Sequence, residues 1–366
     1  MISLNHFQAE PESLIRAELD AVESVLRSGW YVLGDRVQTF EDEWSKSCGT
    51  RFAIGVGNGM DAIEIGLRAL GIGSGDEVIT TSMTAFATVL GILRAGATPV
   101  LADIDLDTGL IHIDSAQRCI TSRTKAVLLV HLYGRICNMA DWVQFCQQQH
   151  LYLLEDCAQS HLASWDGKVA GSFGEWGAYS FYPTKNLGAR GDGGALVTNS
   201  DSINDQAKIL RNYGQDAQYH HEIEGLNSRL DELQAALLSV RIKWLMSFTD
   251  KRRAIADAYY SGIDNPGVKL LRRESDRQHH VYHLFVIQVE SRDKLLPHLR
   301  NHNIRAGIHY PIPIHHQPVC RTIQYDPNGL AAATTHAQHC LSLPCHPQMS
   351  DSEITTVIEA VNAFRP

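Results

Sequence analysis

Three short stretches of this 366-residue chain carry residue types that could do chemistry together. The first is SFYPTKNLGARGDGG, residues 180–194, where Lys185 follows Pro183 in a loop between two apolar runs. A lysine is normally solvated. One held at the top of an apolar sheet loses hydration, its pKa falls, and its free amine becomes a Schiff-base nucleophile. The second is LLEDCAQSH, residues 153–161, where an apolar run ends in Glu155 and Asp156. Successive strand residues point to opposite faces, so these two are not an acid–base pair. A single buried Asp156 could hold a cationic ring nitrogen, or simply cap the next turn. The third is GVGNGMDAIEIGLRAL, residues 55–70, where Gly57-Asn58-Gly59 closes an apolar run and a helical pattern begins. Glycines let the backbone approach a ligand, and a helix N-terminus offers free N–H groups to a phosphate. The spacing is not the G-x-G-x-x-G of a dinucleotide fingerprint, and a plain tight turn is the alternative. A lysine amine, a carboxylate for a pyridine nitrogen and phosphate donors are together what pyridoxal phosphate asks of a protein.

Those stretches need a scaffold that brings their ends together. Apolar runs at 52–56, 77–81, 98–104, 125–132, 151–156, 178–182 and 195–199 read as strands, and 60–70, 84–95 and 139–150 as helices between them. Continuous apolar strands alternating with helices predict an α/β fold, a mainly parallel sheet covered on both faces. Ligands bind such sheets beyond the carboxyl ends of the strands. The last two strands are joined by a segment too short for a crossover, so they are expected to pair antiparallel. A helix is expected over 12–28, stopped by Gly29, and another over 228–247, capped by Ser228, with Leu230, Leu233, Leu237, Val240 and Trp244 as its apolar stripe. After about 250 the texture turns basic and His-rich, with a strand-like run at 281–289 and a Pro-rich loop at 310–318. This predicts a large domain over 1–250 and a smaller C-terminal α+β domain over 251–366.

On these residues the chain resembles the DegT/StrS family of pyridoxal-phosphate-dependent sugar aminotransferases. The motifs run in order over nearly the whole length: GNGMDA (57–62), GDEVIT (75–80), HLYG (131–134), EDCAQ (155–159), SFYPTKNLGARGDGGALVTN (180–199), LRNYG (210–214), NSRLDELQAALL (227–238) and HYPIPIHHQP (309–318). The resemblance implies the type I aminotransferase fold and a homodimer with active sites at the subunit interface. It implies that Lys185 forms the internal aldimine and shuttles a proton, that Asp156 keeps the pyridine nitrogen protonated, and that Gln159 lies against the ring hydroxyl. Ser180 and the backbone at Gly59 and Met60 would take the phosphate, and Asn227 would reach the phosphate of the neighbouring subunit. His309, Tyr310 and His315 would line the sugar-nucleotide site. Relatives carry an aromatic residue where this chain has Ala85 in MTAFAT, so Phe86 is expected to supply the face that stacks on the ring. Arg190 stands where an apolar residue is usual, and Leu162 where glycine is usual. Tyr182 beside the lysine is similar to the sugar 3-aminotransferases, whereas many relatives acting at C4 carry His there. The expected reaction is therefore amino transfer, with glutamate as the expected donor, to a dTDP-linked 3-keto-6-deoxyhexose, giving a 3-amino-3,6-dideoxyhexose. The alternatives are a 4-keto sugar aminotransferase and a sugar dehydratase of the same fold; the dehydratases resemble this chain but have His at the lysine position.

Composition removes other classes. Lys+Arg 32 against Asp+Glu 41 gives a formal charge of −9, the wrong sign for general nucleic-acid binding. No apolar run has the length of a membrane span, and MISLNHFQAEPESLI lacks the pattern of a signal peptide. Eight scattered cysteines without a C-x-x-C pair read as reduced cytoplasmic thiols. The histidine pairs at 220–221, 279–280 and 315–316 point apart along the chain, so no metal site is expected.

Overall fold

The computed structural model describes residues 1–365. Its centre is an eight-stranded sheet in the order Phe52–Val56, Gly194–Thr198, Trp176–Ser180, Tyr152–Asp156, Thr124–Val130, Glu77–Thr81, Thr98–Ala102 and Gln324–Tyr325. Trp176–Ser180 and Gly194–Thr198 pair antiparallel, as their short connection requires, and Gly194–Thr198 also pairs antiparallel with Phe52–Val56. The other pairings are parallel. Side chains alternate between two cores. Val127, Leu129 and Leu153 face one, and Ala126, Leu128 and Leu154 the other. A strand buried on both faces is apolar at every position, which is why these runs show no alternation. Val130 and Asp156 are paired in register, as are Asp156 and Ala178, so the carboxyl ends of the central strands lie level along one edge.

The helices over Glu12–Ser28, Gly59–Ala69 and Met139–Gln149 fall where the pattern puts them, and the first ends at Gly29 with φ 68°. The long helix is a correction. It begins at Glu232 with Asp231 at its N-cap and runs to Gly262. Ser228 does not cap it, because its hydroxyl is engaged elsewhere: it accepts the Gly57 N–H at 3.0 Å and donates to Asp61 at 2.7 Å. The helix packs against Glu12–Ser28, Asp35–Cys48 and Asp351–Ala363. More than one stripe is therefore covered, and Ala235, Leu238, Leu245 and Phe248 are buried beside Leu237. Position 250 falls inside this helix.

The run over 281–289 gives a shorter strand, Phe285–Gln288, because Tyr282 takes φ 45° and interrupts the extended chain. It pairs antiparallel with Lys269–Leu270 and Cys340–Leu343. This small sheet has its own core of Tyr259, Ile287, Leu341, Val357 and Val361. Among the described residues no helix is long and apolar enough to cross a membrane.

Candidate active site

A cavity of about 380 Å³ opens at the carboxyl ends of the central strands, and Lys185, Asp156, Gly59 and Ser180 all line it. Lys185 reaches it from a compact turn after the strand Trp176–Ser180. The Phe181 N–H bonds Gly193 O at 2.7 Å and the Lys185 N–H bonds Tyr182 O at 2.8 Å. The turn closes so tightly that a Cβ on Gly188 would stand 2.3 Å from the Pro183 carbonyl oxygen. Burial pushes the Lys185 pKa down to about 8, against the opposing pull of Asp156. Its amine is thus neutral over much more of the ordinary pH range than a solvated lysine.

Asp156 ends its strand facing the same cavity. Oδ2 accepts the Thr88 hydroxyl at 2.8 Å and Oδ1 accepts the Ala158 N–H at 3.0 Å. Burial raises its pKa, while the Ala158 amide, Thr88, Lys185 and His131 act in the other direction. Thr88 spends its proton on the carboxylate, so the Thr84 hydroxyl, 2.8 Å away, is the donor to Thr88. Glu155 points to the opposite face and is structural. It accepts the N–H groups of Gly171, Phe173 and Gly174 and sits 3.0 Å from His131 Nε2. His131, Glu155 and Cys157 are close enough to share a cation. His131 Nδ1, however, already accepts the Cys137 amide, and Glu155 is fully occupied by amides and imidazole.

Across the cavity, Asn58 caps the helix Gly59–Ala69 by accepting the Asp61 N–H at 2.9 Å. The N–H groups of the first helical residues, Gly59 and Met60, have no intrahelical partner. Gly59 lies so close to Ser180 that an added Cβ would stand 2.7 Å from the Ser180 Cβ. Glycine is thus required by close approach at this end of the cavity.

The remaining predicted residues divide. Gln159, His309, Tyr310 and Tyr182 line the cavity, Tyr182 at its mouth with 53% of its surface exposed. Phe86 does not, which corrects the stacking expectation. As the first residue of the helix Phe86–Arg94, it turns toward Val89, Leu101, Ile314 and Leu330, and Ala85 and Ala87 face the cavity instead. His315 also lies outside the lining, with Nε2 3.1 Å from the Thr334 hydroxyl. Asn227 is exposed on the surface of the chain, outside the cavity. Arg190 bonds Glu10 and Glu18. Leu162 takes a left-handed φ of 63°, a conformation that favours glycine. Sequence reasoning missed Thr84, Thr88 and His283, which also line the cavity. Thr84 precedes the helix Phe86–Arg94 and Thr88 lies in its first turn, so their four-residue spacing alone did not announce the pairing. His283 was hidden in a run read as a strand.

These residues fit pyridoxal phosphate: a buried amine of lowered pKa faces a buried carboxylate, with a glycine-lined helix N-terminus and a serine at one end. The comparisons agree. The profile of the DegT/DnrJ/EryC1/StrS aminotransferase family matches residues 12–362. The chain is 44% identical to the dTDP-3-amino-3,6-dideoxy-alpha-D-galactopyranose transaminase of Aneurinibacillus thermoaerophilus, over 94% of each chain. It is 41% identical to the dTDP-3-amino-3,4,6-trideoxy-alpha-D-glucose transaminase of Streptomyces venezuelae, over 96% of this chain and 93% of that one. A crystal structure of S. venezuelae DesV in complex with a ketimine intermediate superposes with a TM-score of 0.94 at 39% identity, covering 99% of this chain and 97% of that chain. The chain belongs to the DegT/DnrJ/EryC1/StrS aminotransferase family, and it is a pyridoxal-phosphate-dependent aminotransferase.

Proposed function

We propose that this aminotransferase moves an amino group from L-glutamate to a dTDP-linked 3-keto-6-deoxyhexose, giving a dTDP-3-amino-3,6-dideoxyhexose. The observation that carries this reading is Tyr182, at the cavity mouth and three residues before Lys185. Two relatives named for 3-amino sugar nucleotides, at 44% and 41% identity, support it.

When bound, pyridoxal phosphate supplies an electron sink that carries an amino group between two substrates. Lys185, whose pKa lowered to about 8 leaves a useful fraction of its amine neutral near physiological pH, takes a proton from the donor carbon and returns one at the acceptor. Asp156, aligned by Thr88 and the Ala158 amide, holds a proton at the ring nitrogen. The amides of Gly59 and Met60 and the hydroxyl of Ser180 bind the phosphate. Gln159 lies against the ring hydroxyl. Ala85, at the position where the family resemblance places an aromatic residue, lines the cavity with a small side chain. Tyr182, His309 and Tyr310 orient the sugar and exclude water from the reacting carbon.

The working unit in this reading is a homodimer whose Asn227 reaches the partner's phosphate. Its exposure next to the anchored Ser228 supports that role. The division into 1–250 and 251–366 stands as part of the proposal, with the helix Glu232–Gly262 shared between them. A cytoplasmic setting is supported by eight cysteines that are all buried and unpaired.

The test offers the 3-keto and 4-keto 6-deoxy sugar nucleotides separately and compares kcat/KM. We expect the 3-keto isomer to be preferred by on the order of a hundredfold, the cost of a reacting carbon misplaced by about 1 Å. Preference for the 4-keto isomer refutes the substrate and leaves the aminotransferase assignment intact.

A further inference from the structure

The wall of the cavity that includes His309 and Tyr310 is held from behind by a buried polar chain. The direction of each bond in it is fixed by the one before. Gln288 Nε2 lies 2.7 Å from the Leu106 carbonyl, so that atom is the amide nitrogen; it also lies 3.1 Å from His336 Nδ1, which must therefore accept. His336 then carries its proton on Nε2, 2.9 Å from the Tyr133 hydroxyl, and donates to it. The Tyr133 hydroxyl passes its own proton to the His309 carbonyl. Burial pushes the His336 pKa down to about 4, which keeps this neutral form in place at neutral pH.

The backbone of Tyr133 completes a ring. Its N–H donates to Gln159 Oε1 at 2.6 Å, so the other amide atom of Gln159 is the nitrogen, and it donates to the Tyr310 hydroxyl at 3.1 Å. Among the described residues the Tyr310 proton then meets no acceptor, and Tyr310 lines the cavity. Two further features fit a part held for a purpose. Tyr133 sits at φ 63°, a left-handed value uncommon for a bulky residue. Gly109, at φ 77°, adjoins both rings: an added Cβ would stand a tight 3.3 Å from Tyr133 Cε2 and in ordinary contact, 3.5 Å, with His336 Cε1.

We propose that Tyr133, oriented by His336 and Gln288, is the positioning residue of the sugar side of the site. It clamps Gln159 and the His309–Tyr310 pair in one register, so that the Tyr310 hydroxyl offers a fixed proton to an oxygen of the acceptor sugar. This rests on the sugar-nucleotide reading above. None of these three residues touches the reacting atoms; they act through Tyr310 and Gln159.

The test uses Tyr133→Phe, His336→Leu and His336→Gln in the cofactor-loaded enzyme. Tyr133→Phe and His336→Leu should raise KM for the keto sugar about fivefold to tenfold, the factor of one hydrogen bond, with kcat within about twofold. The half-reaction with L-glutamate, followed by the change in visible absorbance, should keep its rate. His336→Gln retains a side-chain N–H for Tyr133 and should recover KM where His336→Leu does not. A second arm needs no turnover: calorimetric binding of the unreactive probe dTDP-glucose should weaken by the same factor in the first two variants. Unchanged dTDP-glucose affinity in both overturns the clamp, as does equal slowing of both half-reactions, which would mark general loosening of the site. Failure of the substrate reading shows separately, as a wild-type enzyme that reacts with glutamate but aminates no 3-keto sugar.

Discussion

Removing the Thr88 hydroxyl tests whether Asp156 is held as an anion by design of this site. Asp156 is buried, and burial raises its pKa. Two hydrogen bonds oppose that, from the Ala158 amide at 3.0 Å and the Thr88 hydroxyl at 2.8 Å. Thr88→Val keeps the shape and deletes the second. A hydrogen bond to a charged group is worth about 1.5–3 kcal/mol, so the anion loses about that much and its pKa moves further up. The ring nitrogen then has a weaker counter-ion, and kcat/KM should fall roughly tenfold to a hundredfold. The sign of the pH effect follows. A carboxylate whose pKa rises is protonated at higher pH, so the acid limb of the kcat/KM profile should move toward neutrality. Thr88→Ser keeps the donor and should stay within a few-fold of wild type. The measurement is kcat/KM from about pH 5.5 to 9 for the three proteins, with thermal melts to confirm folding. A Thr88→Val enzyme with unchanged activity and an unmoved acid limb would refute the reasoning.

Gly59→Ala puts a Cβ 2.7 Å from the Ser180 Cβ; the two backbones must part, and cofactor affinity measured by equilibrium dialysis should fall tenfold or more while the circular dichroism stays unchanged. An inactive Lys185→Ala chain mixed with a cofactor-weak Asn227→Ala chain should regain activity through heterodimers with one intact site; no recovery after verified subunit exchange would argue for sites contained in one chain. His161 and His336 are fully buried, and burial lowers their pKa values to about 3 and about 4. Both are neutral in the fold and titrate near 6.5 when unfolded, so stability is full above about pH 6.5 and is lost as pH falls toward the folded values. At pH 5 the loss is on the order of 2 kcal/mol per group, and urea melts at pH 7.5 and pH 5 that gave equal stability would contradict it.

What the sequence made legible were features fixed by local chemistry. Seven strands of the large sheet are predominantly apolar, without alternation, because both faces are covered, and their ends carry Asp156 and, after a tight turn, Lys185. What stayed hidden depended on contacts distant in sequence. Phe86 was one residue away from the right helical face, and only packing against Ile314 and Leu330 sets that phase. Ser228 looked like a helix cap, but its hydroxyl is taken by Gly57 and Asp61, so the helix starts later at Glu232. Tyr133 and His336 are 203 residues apart, and no pattern near either announces the other. The short strand Gln324–Tyr325 joins the large sheet by pairing with Thr98–Ala102, again a long-range choice.

The departure at Arg190 shows how one unexpected residue can serve the site without entering it. Arg190 follows Lys185 by five positions, in the loop that returns to the strand Gly194–Thr198. Its guanidinium bonds Glu10 and Glu18, and the same two carboxylates bond Arg241 of the long helix. Burial alone would raise the Glu10 pKa; the two guanidinium groups overcome that and leave it lowered. Such a cluster contributes little net stability, because desolvating its charges costs about what their attraction returns. Its consequence is geometric. An apolar residue at 190 could pack in many ways against the helix Glu12–Ser28, whereas paired carboxylates accept guanidinium groups in few orientations. The backbone N–H of Arg190 adds a bond to Gln234 Oε1 at 2.9 Å, which ties the loop to the long helix as well. The segment at Glu10, the helix Glu12–Ser28 and the long helix thus hold the far end of the loop that bears the lysine. The near end is fixed by the turn at Pro183 and Gly188. A lysine held at both ends keeps its amine in the buried position that lowers its pKa to about 8, so the departure from the family pattern is compatible with the chemistry and supports its placement.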